Sequence, residues 1–148
     1  MAVVLFEEHS EMLEAAEDFL AAVKSTPRIP IEQLSRKRVR LSSLIRQHRS
    51  TEEAFIYGPL MRQGGFGRMP HLEPIMHDLM SEKVKYSEHI RQWTPQAIDR
   101  DWDGYVQACE LRIEQFRRII LKEEAEIYQP VLGLAATQMP CRGPAILT

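Results

Sequence analysis

Apolar residues along this chain recur at three- and four-residue steps, and the steps group into four long runs. That spacing puts successive side chains on one helical face. The first run, over 5–24, aligns Phe6, His9, Leu13, Ala16, Leu20 and Val23, with Glu7, Glu11, Glu14 and Asp18 elsewhere. Pro27 and Pro30 end it, because proline removes a backbone donor and fixes φ. A second helix is predicted over 31–60. Leu34, Leu41, Leu44, Ile45, His48, Glu52, Phe55 and Ile56 mark its inner face; Arg36, Lys37, Arg38, Arg40 and Arg46 mark a solvated outer one. Pro59 cannot donate to residue 55, so the last turn is predicted to loosen.

A glycine-rich loop over 63–70 leads to a third helix over 72–93. Its stripe reads Leu72, Met76, Leu79, Lys83, Tyr86, Ile90, Trp93, with a lysine in the middle of an apolar row. Thr94-Pro95 forms a cap and first turn for a short connector helix. The last long helix, over 103–131, turns Tyr105, Cys109, Phe116, Glu123 and Ile127 inward, with Arg112 or Ile113 and Ile119 or Ile120. Residues 133–148, with Pro140, Gly143 and Pro144, have no periodicity. Four amphipathic helices with no strand signal predict an all-α, antiparallel up-down-up-down four-helix bundle over 1–132, followed by an irregular C-terminal tail.

Composition narrows the function classes. A 148-residue chain can bury a core without disulfides or metal. Its net charge of −2, with both signs interspersed, favours no nucleic-acid partner. Cys109 and Cys141 lack metal-type spacing and fit a reducing cytoplasm. The opening Met-Ala-Val-Val-Leu-Phe has no basic flank and runs into Glu7-Glu8, so neither a signal peptide nor a membrane span is expected. No hydrolytic triad, phosphate loop or redox cysteine pair occurs.

The chemistry concentrates in a repeat. His48-Arg-Ser-Thr-Glu52-Glu53-Ala-Phe-Ile-Tyr57-Gly-Pro59 returns as Ile119-Ile-Leu-Lys-Glu123-Glu124-Ala-Glu-Ile-Tyr128-Gln-Pro130, offset by 71 residues. A histidine four residues before a glutamate puts both on one helical face, suited to two ligands from one helix. The copy keeps the glutamate and has isoleucine where the histidine was. The other two helices also correspond, Glu8-His9 aligning with Glu82-Lys83. The chain thus reads as two helical hairpins related by a pseudo-two-fold.

A histidine on the first helix, His-x-x-x-Glu-Glu with trailing aromatic and proline on the second, and the worn repeat together resemble the haemerythrin-like HHE cation-binding family, over about residues 5–132. The Glu52-Glu53…Pro59-Leu60-Met-Arg-Gln-Gly-Gly stretch with Pro74 and Glu82 is similar to the subgroup that repairs damaged iron centres. The resemblance implies a four-helix bundle around two non-haem irons, held by histidines from all four helices and bridged by two carboxylates. It implies roles in oxygen binding, oxygen or nitric-oxide sensing, iron handling or iron-centre repair. His9, His48, Glu52 and Glu123 match the family's ligand positions; Lys83 and Ile119 (Ile120 if the register slips) stand where histidines would be. One half-site keeps its histidines and the other has lost them, so at most one metal ion is expected.

The residues also admit a metal-free regulatory or scaffolding bundle with a protein partner, in which Lys83 replaces the metal charge by an ion pair with the acids. Oxygen or nitric-oxide enzymology stands behind both readings, since it would need the missing ligands. Glu53 and Glu124 are expected to point sideways or outward, Tyr57 and Tyr128 to pack the bundle end, and His71, His77 and His89 to lie at the surface, His77 being the reserve ligand if its helix is rotated.

Overall fold

The structure, a computed structural model, describes residues 3–67 and 69–133, with only the backbone of Phe66. The expected tail lies outside the described residues from position 134 on, and Cys141 with it. Among the described residues every regular element is helical: α1 (Val3–Val23), α2 (Ile31–Glu52), α3 (Gly58–Arg62), α4 (Leu72–Gln92), α5 (Pro95–Arg100), α6 (Trp102–Glu123) and α7 (Gln129–Leu132). No helix among them is long and apolar enough to cross a membrane.

The boundaries follow from local chemistry. Thr94 Oγ1 accepts from Ala97 N at 3.2 Å to start α5, and Asp101 Oδ1 accepts from Gly104 N at 3.0 Å to start α6. Gly133, with φ of 64°, supplies the left-handed residue after α7. The loosened turn appears twice. A π-turn over Glu53–Tyr57 joins α2 to α3, and another over Glu124–Tyr128 joins α6 to α7. In each, the backbone N–H five residues on closes the turn, Gly58 to Glu53 O and Gln129 to Glu124 O. Pro59 and Pro130 follow immediately, and a proline ring clashes with the carbonyl four residues back, so a wider turn relieves it.

The long helices share two apolar clusters. One gathers Met12, Ala16 and Phe19 of α1, Leu34, Leu41 and Ile45 of α2, and Tyr105, Cys109, Ile113 and Ile120 of α6, with Tyr86 of α4 and Trp93 just after it against them. The other gathers Leu5 and Phe6, Ile56 and Leu60, Leu72 and Leu79, and Ile127 and Tyr128. Between them each long helix contributes polar residues: His9, then His48 and Glu52, then Lys83, then Glu123.

Two surface expectations need correction. Arg38, placed on the solvated face by its spacing, donates to Trp93 O at 2.9 Å and lies 5.8 Å above the Tyr105 ring, so it binds a carbonyl at the C-terminal end of α4. His89 is half-buried and stacks on Tyr105 with ring centroids 6.2 Å apart. Burial, with the charges of Arg38 and Arg112, pushes its pKa down to about 4. A long basic side chain can fold back over apolar surface, which periodicity does not reveal.

Candidate metal centre

The polar layer is built from side chains that helical spacing alone would not bring together. His48 and Glu52 share a face at four residues' separation, and His48 Nε2 lies 2.9 Å from Glu52 Oε1. Tyr57 and Tyr128 each follow a layer glutamate by five residues, which in an α-helix leaves them about 140° around the axis. A π-turn stacks residue i+5 over residue i instead. Both hydroxyls consequently enter the layer: Tyr57 donates to Glu123 Oε2 at 3.4 Å, and the Tyr128 oxygen lies 3.0 Å from His48 Nε2 and 3.2 Å from His9 Nε2.

The imidazoles face each other, ring centroids 4.4 Å apart, with both Nε2 atoms toward the middle. Behind each ring stands a carboxylate. Glu124 Oε2 is 2.7 Å from His9 Nδ1, and Glu8 Oε1 is 3.7 Å from His48 Nδ1. Thr51 Oγ1 steadies Glu8 by donating to its Oε2 at 3.0 Å. At His9 the carboxylate at Nδ1 fixes the tautomer and leaves Nε2 free to ligate, whereas at His48 the bonded carboxylate is Glu52, at Nε2 itself. The layer is buried: His9 is 0 %, His48 2 %, Glu52 2 %, Glu123 4 % and Glu124 8 % exposed. One donor atom from each of His9, His48 and Glu123 lies within 4.8 Å of the others, close enough to converge on one ion after small shifts. Glu8 Oε1, His48 Nδ1 and Glu52 Oε2 are buried without a hydrogen-bond partner, the first two facing each other behind the His48 ring.

Charge is distributed unevenly. Burial opposes a charged His9, but hydrogen bonds and negative charge from Glu123 and Glu124 outweigh it and raise its pKa. Burial also drives the two facing carboxylates toward protonation. For Glu52 the His48 hydrogen bond and charge, with the Lys83 charge, prevail and lower its pKa. For Glu123 burial wins, helped by repulsion from Glu52, and its pKa is raised. Like charges so placed push the two pKa values apart. Burial first, then the charges of Glu123 and Glu52, push the Tyr57 and Tyr128 phenols far above the usual range.

His9, His48 and Glu123 meet as expected from the sequence, and Glu52 joins through His48. Lys83 does not meet its expectation. Its Nζ lies 5.7 Å from the Tyr57 ring centroid and forms no ion pair within 4.0 Å among the described residues, so it acts on Glu52 and Glu123 only through space. Glu53 is exposed as expected, whereas Glu124 turns inward to His9; it lies in α-helical register four residues after the buried Ile120, on the same face. Tyr57 and Tyr128 pack in the second apolar cluster as expected and in addition send their hydroxyls into the site. The visible signal was Tyr-x-Pro in both repeat halves, since proline marks the wide turn that redirects the tyrosine. His71 and His77 are exposed.

The vacated ligand positions open onto space. A cavity of about 70 Å³ is walled by Lys83 and Ile119 together with Leu79, Phe116, Ile45 and the layer residues His48, Glu52 and Glu123. Ile120 reaches its wall and is otherwise buried in the first apolar cluster. Comparison with protein-family models, curated proteins and solved structures finds no match to this chain.

Proposed function

We propose that this protein is a haemerythrin-like, antiparallel four-helix bundle whose polar layer holds one non-haem iron for sensing or handling oxygen, nitric oxide or iron. The observation that carries the reading is the convergence of His9 Nε2, His48 Nε2 and a Glu123 oxygen, with Glu124 and Glu8 behind the two rings. The bundle topology is supported by the apolar clusters: α1, α2, α4 and α6 pass between them in alternating senses.

His9, His48 and Glu123 would hold the ion, with Glu52 beside His48; two imidazoles and a carboxylate with open positions suit non-haem iron. Bound iron supplies affinity for diatomic ligands and one-electron chemistry. The chain's residues do the remainder. Glu124 orients the His9 ring and Glu52 the His48 ring, the two apolar clusters pack on either side, and Lys83 adds positive charge at the cavity wall. The cavity is roughly half the ~150 Å³ that accommodates benzene, a size suited to a diatomic molecule.

One observation favours the metal-free scaffold: the Tyr128 hydroxyl already lies within hydrogen-bond reach of both Nε2 atoms. Elemental analysis of untagged protein purified without chelator separates the two. The proposal expects about one iron per chain, lost in His48→Ala. Absence of metal leaves the scaffold. Two irons with an oxo-bridge absorption band would overturn the single-ion reading.

A further inference from the structure

The Tyr128 oxygen lies at the point on which both imidazole Nε2 atoms converge, 3.0 Å from His48 and 3.2 Å from His9. The residue is fully buried, its ring stacked on His9 at 5.2 Å between centroids and edge-on to Phe6 at 5.8 Å. Those contacts and the π-turn fix where the hydroxyl points. Metal–imidazole bonds are about 2.1 Å long, so an ion shared by the two rings must lie near this oxygen. We propose that Tyr128 is a ligand of that ion, binding a ferric centre through its phenolate oxygen.

This inference rests on the single-ion reading above and names a ligand beyond it. When Tyr128 binds, its O–H bond breaks, an O–metal bond forms and the proton passes to solvent; no electron moves. A nearby cation reverses the preference for the neutral phenol that burial and the carboxylates impose. Tyr57 occupies the equivalent place in the other repeat half but faces Glu123 Oε2 at 3.4 Å instead of an imidazole pair. The pseudo-two-fold therefore gives one ligand tyrosine and one carboxylate-bound tyrosine. Of the four tyrosines, Tyr86 contacts Ser42, and Tyr105 packs in the first apolar cluster.

The test loads untagged, metal-free protein with ferric ion from its nitrilotriacetate complex, removes the excess, and records iron content, visible absorption and resonance Raman spectra. A visible phenolate-to-iron charge-transfer band with enhanced tyrosinate ring modes is expected in wild type. It should persist in Tyr57→Phe and vanish in Tyr128→Phe while His9 and His48 still hold iron. If Tyr128→Phe fails to fold, the wild-type Raman spectrum and the Tyr57→Phe variant still decide. Iron-loaded wild type without tyrosinate modes, or a band lost in Tyr57→Phe and kept in Tyr128→Phe, overturns the ligand assignment and leaves the ion. A wild type that takes up no metal overturns both.

Discussion

Glu124 is the residue whose removal tests the layer most directly. Its Oε2 lies 2.7 Å from His9 Nδ1 and links the π-turn after α6 to α1 across 115 residues of sequence. In metal-free protein, Glu124→Ala removes one partner of a buried, charge-assisted pair. Breaking such pairs costs about 3–5 kcal/mol when the remaining charge is stranded, and a hydrogen bond to a charged group is worth about 1.5–3 kcal/mol. His9 keeps Tyr128 at 3.2 Å and Glu123 at 3.7 Å, so the lower range applies, about 2–3 kcal/mol. For a chain of this size that is a fall in melting temperature of roughly 4–12 °C. The loss should depend on pH. The folded-state pKa of His9 is raised, so its contribution is complete below the unfolded value of 6.5 and disappears as pH rises through the folded value. Urea denaturation with chelator at pH 6 and pH 9 measures both. The larger loss is expected at pH 6 and the smaller at pH 9, where less of His9 is charged and its N–H still donates to the Glu124 carboxylate. Glu124→Gln keeps an acceptor and should lose less. A loss that is equal at the two pH values, or larger at pH 9, would refute an imidazolium held by Glu124.

Lys83→Met should change metal-free stability by no more than about 1 kcal/mol, because no contact ion pair is broken; a loss of about 3 kcal/mol in urea titration would restore the ion-paired lysine. His89, with its pKa depressed to about 4, binds a proton in the unfolded chain before it does so in the fold. Stability should therefore decline as pH drops from 6.5 toward 4, and His89→Gln should flatten that decline in urea midpoints. In a Cys141→Ser background, Cys109 is 1 % exposed and its thiol is pushed up to about 11 by burial, so it should resist iodoacetamide until urea unfolds the chain.

The helices were legible because burial imposes periodicity. Val3–Val23 and Leu72–Gln92 fall within a few residues of the stripes that predict them, and Thr94 and Asp101 open α5 and α6 by side-chain caps. His9, His48, Glu52 and Glu123 were legible as polar interruptions of apolar stripes. Three features escaped. The Tyr57 and Tyr128 hydroxyls follow the phase of a π-turn, which steps of three and four do not reproduce, while Glu124 follows buried Ile120 by four residues and turns inward with it. Glu8 adjoins the stripe and enters the site through its reach toward His48, which spacing cannot measure. Lys83 sits in the stripe, but its long stem leaves the position of the ammonium undetermined by sequence.

Placing the polar layer between two apolar clusters determines how it responds to ionic strength. Dissolved ions weaken pairs that water can reach, such as Lys24–Glu110, where both side chains are about half exposed, and Arg117–Glu17. They cannot enter between the clusters to screen Glu124 from His9. Salt should thus loosen the outer fastenings of the helices and leave the inner one at nearly full strength. For this molecule, acidity rather than salinity governs the hold of α1 on the turn after α6.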